Sequence, residues 1–173
     1  MSNFATIKFI QKYKKVVYYS VVENGDEDDS SIFELFLQKF GVEERNKLNH
    51  VLSWIREIGN KYGAQSHLFR NENNAAALPP RGVTREPSYI ENEEEKANPL
   101  RLYCHRLNEH VVILFGGGIK TAPKVQNCDN VRMPFILANK LSKMIDENIR
   151  SGEIGWTDDY YDIAYEDSFK LYY

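Results

Sequence analysis

The chain has 173 residues, of which 42% are hydrophobic, enough to bury one core and short for two, so a single domain is expected. Its longest apolar runs, such as Val111 to Phe115, fall far short of the roughly 20 residues that cross a bilayer, and its N-terminus lacks the apolar stretch of a secretion signal, so a soluble, cytoplasmic protein with no membrane partner is expected. The formal charge of −3 argues against nucleic-acid binding through bulk positive charge.

Two cysteines, Cys104 and Cys128, have neither metal-ligand spacing nor the density of a disulfide scaffold, and both read as free thiols. No metal and no cofactor is expected. Charge is unevenly spread: from Pro99 to Ser151 there are eight Lys/Arg against four Asp/Glu, and from Gly152 to Tyr173 six acids against one lysine. A local basic face in the middle of the chain is therefore compatible with the acidic total.

In chain order, Lys15 to Val22 is β-branched and aromatic enough to predict a strand. Ser30 or Ser31 can cap a helix carrying Ile32, Leu35, Phe36 and Phe40 at helical spacing, which Gly41 should stop. A second helix is predicted from about Glu43 to Asn60, with Leu48, Val51, Leu52, Ile55 and Ile58 on one face, and it should pair antiparallel with the first. His50 reads as surface and Trp54 as packing. After Gly63, Gln65 to Arg70 could form a short strand. Residues 71–98, with Asn73-Asn74, Pro79-Pro80 and the Glu93 to Glu95 cluster, then read as one long loop, either a mobile flap or a tolerated insertion.

Leu100 to Leu107 and His110 to Phe115 predict a tight hairpin at the centre of a sheet, joined through Asn108-Glu109. Gly116-Gly117-Gly118 lacks phosphate-loop or dinucleotide spacing and reads as a strand end or bulge. A helix from about Met133 to Arg150 follows, with Phe135, Leu137, Ala138, Leu141, Ile145 and Ile149 as its apolar face. The expected order is β-α-α-β-β-β-α, an α+β domain over residues 1–151 with an acidic aromatic extension over 152–173. That extension has three readings: an added edge strand, a mask over the basic face, or a carrier of Tyr165 or Asp167 into a site.

Alternation along a strand places Arg101, Tyr103 and His105 on one side and Leu100, Leu102 and Cys104 on the other. If the aliphatic set faces the helices, the polar set lines the concave side of the sheet; the plainer reading of the same pattern is an ordinary half-exposed sheet.

The segment Arg101-Leu-Tyr-Cys-His-Arg-Leu-Asn-Glu-His-Val-Val-Ile-Leu-Phe-Gly-Gly-Gly-Ile-Lys-Thr121 resembles the central hairpin of the phage-derived HigB-like branch of the RelE/ParE toxin superfamily. Val16-Val-Tyr-Tyr, Asn24-Gly25, Phe36-Leu37 and a helix ending near Gly59 are similar to that family's first strand and helical pair. The resemblance covers roughly residues 15 to 150. It implies a RelE-like fold, a small antiparallel-rich curved sheet on an N-terminal helical pair and a C-terminal helix. It also implies a toxin of a toxin–antitoxin system that cuts mRNA on the ribosome by metal-independent 2′-hydroxyl attack and is held in check by a cognate antitoxin.

Such cleavage needs proton transfer and stabilisation of an anionic phosphorus. On the resemblance, Arg101 is assigned to the scissile phosphate, His105 to proton transfer, Tyr103 to base stacking or a second relay, and Lys120 to a neighbouring phosphate. Lys124, Arg132, Arg81 and Arg85 are candidate RNA contacts, as is Arg70, which flanks the long loop with Arg81 and Arg85, although exposed basic side chains are commonly just solvated. Related proteins of the ParE type inhibit gyrase, so the alternative is a non-catalytic protein-binding module, a phage or host regulatory factor on the same scaffold.

Overall fold

The computed structural model describes residues 3–82 and 85–173. The chain opens with an antiparallel hairpin, β1 (Phe4–Lys12) and β2 (Val17–Glu23), whose register shifts once between Phe9 and Gln11. The expected first strand is thus the second one. β1 carries Lys8, Gln11 and Lys12 and is only partly buried, so its apolar signal is weak.

Helix α1 (Ile32–Glu43) starts at a capping box: the Glu34 backbone N–H donates to Ser31 Oγ, and the Ser31 N–H donates to Glu34 Oε1. Gly41 does not end it, since the helix runs on to Glu43. Helix α2 (Arg45–Glu57) continues into a wide π turn, Ile58–Tyr62, where Gly59 is pressed against the ring of Tyr13.

The segment expected as one loop is built instead of two short hairpins. β3 (Arg70–Glu72) and β4 (Ala75–Leu78) join the main sheet, while β5 (Tyr89–Glu91) and β6 (Glu94–Lys96) form a separate ribbon. Gln65 to Arg70 is mainly a 3₁₀ turn, Ser66–Leu68, and only Arg70 enters a strand. These strands escaped the sequence reading because they are three or four residues long. The β5–β6 turn, moreover, places Asn92 and Glu93 at φ +53° and +67° without the glycine that usually marks such a turn.

The second ribbon is clamped to α2. Asn98 Nδ2 donates to the Lys47 carbonyl (3.0 Å) and to His50 Nδ1 (2.9 Å), and His50 Nε2 donates to the Pro87 carbonyl (3.0 Å). This geometry fits only a neutral imidazole, with one nitrogen accepting and the other donating. Burial holds His50 below its ordinary 6.5, against the raising effect of the Pro87 carbonyl. A depressed histidine stabilises the fold fully above pH 6.5, and the contribution is lost as pH falls through the folded-state value. The gap in urea midpoint between the parent and His50→Gln should therefore narrow from pH 7.5 to pH 5.5; a constant gap would contradict the clamp.

β7 (Leu100–Arg106) and β8 (Val111–Ile119) form the expected central hairpin, with a register shift between Leu102 and Cys104. Helix α3 (Asp129–Ser151) follows and ends at Gly152, which adopts a left-handed conformation at φ +86°. The tail adds β9 (Gly155–Trp156), β10 (Ile163–Ala164) and β11 (Leu171–Tyr172).

The main sheet runs β11-β1-β2-β8-β7-β4-β3, and every neighbouring pair is antiparallel except the parallel β2–β8. Of the expected β-α-α-β-β-β-α order, β2, α1, α2, β7, β8 and α3 occur in that sequence, whereas the strand expected at Gln65 to Arg70 is largely a 3₁₀ turn, and β1 and β3–β6 are additional strands. The sheet is larger than expected and is covered on both faces. Leu100, Leu102, Cys104 and Tyr18 pack with α1 and α2, while Val17, Tyr19, Ile113, Phe115 and Tyr103 pack with α3 and the tail. No helix among the described residues is long and apolar enough to cross a membrane.

Candidate functional site

β7 sends Arg101, Tyr103 and His105 to one face and Leu100, Leu102 and Cys104 to the other, as alternation requires. The face carrying the polar set, however, is not the open concavity expected. α3 lies across it, leaving Arg101 8%, Tyr103 0% and His105 9% exposed. The cause is the apolar stripe of α3, Val131, Phe135, Ala138, Leu141 and Ile145, which must be buried and finds its partners on this face.

The three residues therefore do different things. Tyr103 packs edge-on against Phe135, with ring centroids 5.8 Å apart. His105 Nε2 donates to Asp146 Oδ1 at 2.7 Å, a carboxylate presented by α3 itself. Arg101 Nη1 donates to the carbonyls of Asn98 (2.6 Å) and Leu100 (3.2 Å), while its Nε has no hydrogen-bond partner among the described residues. The Tyr103 hydroxyl is likewise buried and unpartnered. Burial pushes the Tyr103 phenol up, Glu72 adding to the rise.

Arg101 has company. Register pairs Arg70 with Ala77 and Ala77 with Tyr103, so Arg70 stands two strands away on the same face. Its Nε donates to the carbonyl of Pro79 at 2.8 Å, and Pro79 directly follows Leu78, the partner of Leu102. Arg81 extends, exposed, just beyond. Burial pushes Arg70 down to about 10, with further lowering from the charges of Arg101 and Arg81; Arg101 is lowered by burial first, and Arg81 again adds.

Among the described residues none of these three arginines has a carboxylate within ion-pair distance. Glu72 on β3 is close enough to favour both Arg70 and Arg101 in their charged forms, without pairing. Three guanidiniums sharing one end of a sheet, one of them buried with a vacant donor, form an arrangement that an incoming anion would complete.

The remaining candidates are spread around this end. Lys120 is half-buried, and its backbone N–H donates to the Pro99 carbonyl at 2.8 Å, beside the start of β7. Lys124 is exposed before α3, and Arg132 is tied to Asp129 at 3.0 Å in the first turn of that helix. Arg85 turns its Nη1 to the His67 carbonyl, 3.4 Å away. The structure thus groups Arg101 with Arg81 and with Arg70, and separates them from the His105–Asp146 pair.

Sequence reasoning missed Asp146, whose signal is its position one residue after Ile145 at the edge of the buried stripe of α3. Cys128, read as a free thiol, is buried just before the start of α3. The Thr121 hydroxyl and N–H, 3.4 and 3.3 Å from its sulfur, hold that thiol down at about 7. Comparison with protein-family models, with curated proteins and with solved structures finds no match to this chain.

Proposed function

We propose that the chain binds the phosphate backbone of RNA at the Arg70–Arg81–Arg101 end of its sheet, as a RelE/HigB-like protein of the toxin type with mRNA on the ribosome as target and an antitoxin as partner. The observation that supports this reading is the buried Arg101 guanidinium, flanked by two arginines and having, among the described residues, a vacant N–H and no paired carboxylate. A phosphate carries the charge and the acceptor oxygens that such a cluster lacks.

Within this reading Arg70 and Arg81 meet the backbone first and Arg101 backs them. Cleavage through the ribose 2′-hydroxyl requires in addition that the first half of α3 lift away from Tyr103, because Phe135 covers that side chain. Binding and cleavage are therefore separate steps with separate tests.

A short fluorescein-labelled single-stranded RNA, titrated by fluorescence anisotropy, tests the first. Arg81→Glu and Arg70→Gln should each weaken binding about tenfold, or ~1.4 kcal/mol, and each should flatten the salt dependence by about 0.7 in log–log slope. Equal affinity in the parent and both variants would sink the proposal. Induced expression tests the second: growth arrest with new transcript 5′ ends supports toxin action, whereas RNA binding with intact transcripts makes the chain a non-cleaving regulator.

A further inference from the structure

β8 is paired on one side almost throughout, from Leu100↔Ile119 to Arg106↔Val112 along β7. On its other side β2 accompanies it only through Val17↔Val111, Tyr18↔Val112 and Tyr19↔Ile113. β2 then continues with β1 alone, so among the described residues Leu114–Ile119 has no strand neighbour on that side. A strand edge inside a sheet is left free.

The Phe115–Gly117 stretch of that edge lines a groove of about 530 Å³ between α1 and α3. Gly116 and Gly117 line it, and a side chain at Gly116 would project toward the Ile32 carbonyl of α1. The walls are apolar: Leu35 from α1 is 45% exposed, and Met133 and Ile136 from α3 are 66% and 48% exposed. Lys39 and Lys140 also line it, with no carboxylate within ion-pair distance among the described residues, and so does Glu23, which accepts from the Tyr173 hydroxyl.

We propose that this groove receives an extended segment of a partner protein, apolar at alternate positions and flanked by acidic residues, which adds as a strand to the free edge of β8. A strand satisfies what the free edge offers, because its backbone N–H and C=O groups can pair with those of Leu114–Ile119. A helix cannot, since its own backbone groups are used internally. Alternate apolar side chains would meet the α1 and α3 walls, and acidic flanks would meet Lys39 and Lys140. The groove is on the β2 side of β8, away from the arginine cluster on the β7–β4–β3 side, so this inference stands independently of RNA binding.

The probe is a phage-displayed library of random seven-residue peptides, selected on the full chain and counter-selected on Leu35→Asp/Ile136→Asp, whose changes lie at exposed positions and leave the core intact. Selected peptides are expected to share alternating apolar positions with acidic flanks, and to lose at least about tenfold in affinity, ~1.4 kcal/mol, on the double variant. One selected peptide, synthesised, should slow amide hydrogen exchange within Leu114–Ile119 at least about tenfold, and a copy N-methylated at alternate residues should not bind. The proposal is overturned if no peptide discriminates the parent from the double variant, or if the N-methylated copy binds equally well. It is also overturned if selected peptides bind as helices by circular dichroism, or if the parent alone protects this edge by self-association at rising concentration.

Discussion

Gly117→Ala is expected to destabilise the fold by about 3–5 kcal/mol, a large part of the ~5–15 kcal/mol that a domain typically holds. A methyl group there would stand 1.7 Å from the Arg101 carbonyl oxygen and 2.7 Å from the carbonyl carbon. Both are backbone atoms of the paired strand, so no rotamer change relieves the clash. Leu102 pairs with Gly117 and Arg101 with Gly118, beside a register shift between Leu102 and Cys104. The expected result is a folded yield too low to measure or a sharply lower urea midpoint. Gly116→Ala is the control, because its methyl would meet only the Ile32 carbonyl oxygen at 4.0 Å. Wild-type stability for Gly117→Ala would mean that β7 and β8 do not pair in this register.

The same glycines show where the sequence was legible and where it was not. Hydrophobic period and capping chemistry carry local information, which is why Ser31 at the start of α1, the alternation of β7 and the stripe of α3 all lie where expected. Which element covers which face is a tertiary choice. Leu100, Leu102 and Cys104 do face α1 and α2, yet nothing in the spacing of Arg101, Tyr103 and His105 says that α3 will lie over them. The Gly-Gly-Gly run reads locally as a strand end or bulge, and β8 passes through it with a register shift between the Leu102–Gly117 and Cys104–Leu114 pairs; Gly117 admits the β7 backbone, and Gly118 admits the Asn130 carbonyl of α3. For the candidate site, Arg101 and Arg81 were recognisable singly, and their conjunction with Arg70 depends on β3, a strand three residues long and too short to leave a periodic signal.

Leu171→Asp is expected to destabilise the chain by about 3–5 kcal/mol without strengthening RNA binding, and this pair of outcomes separates the three readings of the acidic tail. Leu171 is fully buried and pairs with Ala5, Tyr172 pairs with Phe4, and the Tyr173 N–H donates to the Asn3 carbonyl at 3.1 Å. The tail thus closes the sheet as an edge strand on β1. Two of its six acids are occupied locally: Asp162 accepts from the Tyr19 hydroxyl, and Asp159 accepts from the Thr157 hydroxyl at 2.7 Å and the Tyr161 N–H at 3.0 Å. Tyr165 packs against Tyr19, with ring centroids 6.3 Å apart. Strand order puts β1, β2, β8, β7 and β4 between β11 and β3, so β11 stands at the opposite edge from Arg70. An unpaired carboxylate at Leu171 would enter the apolar layer that α3 and the tail share, where charge has no partner. Anisotropy titrations below the thermal transition should then give RNA affinity equal to the parent's. A rise in affinity, or a harsher growth arrest on expression, would instead make the tail a mask that the substitution had lifted.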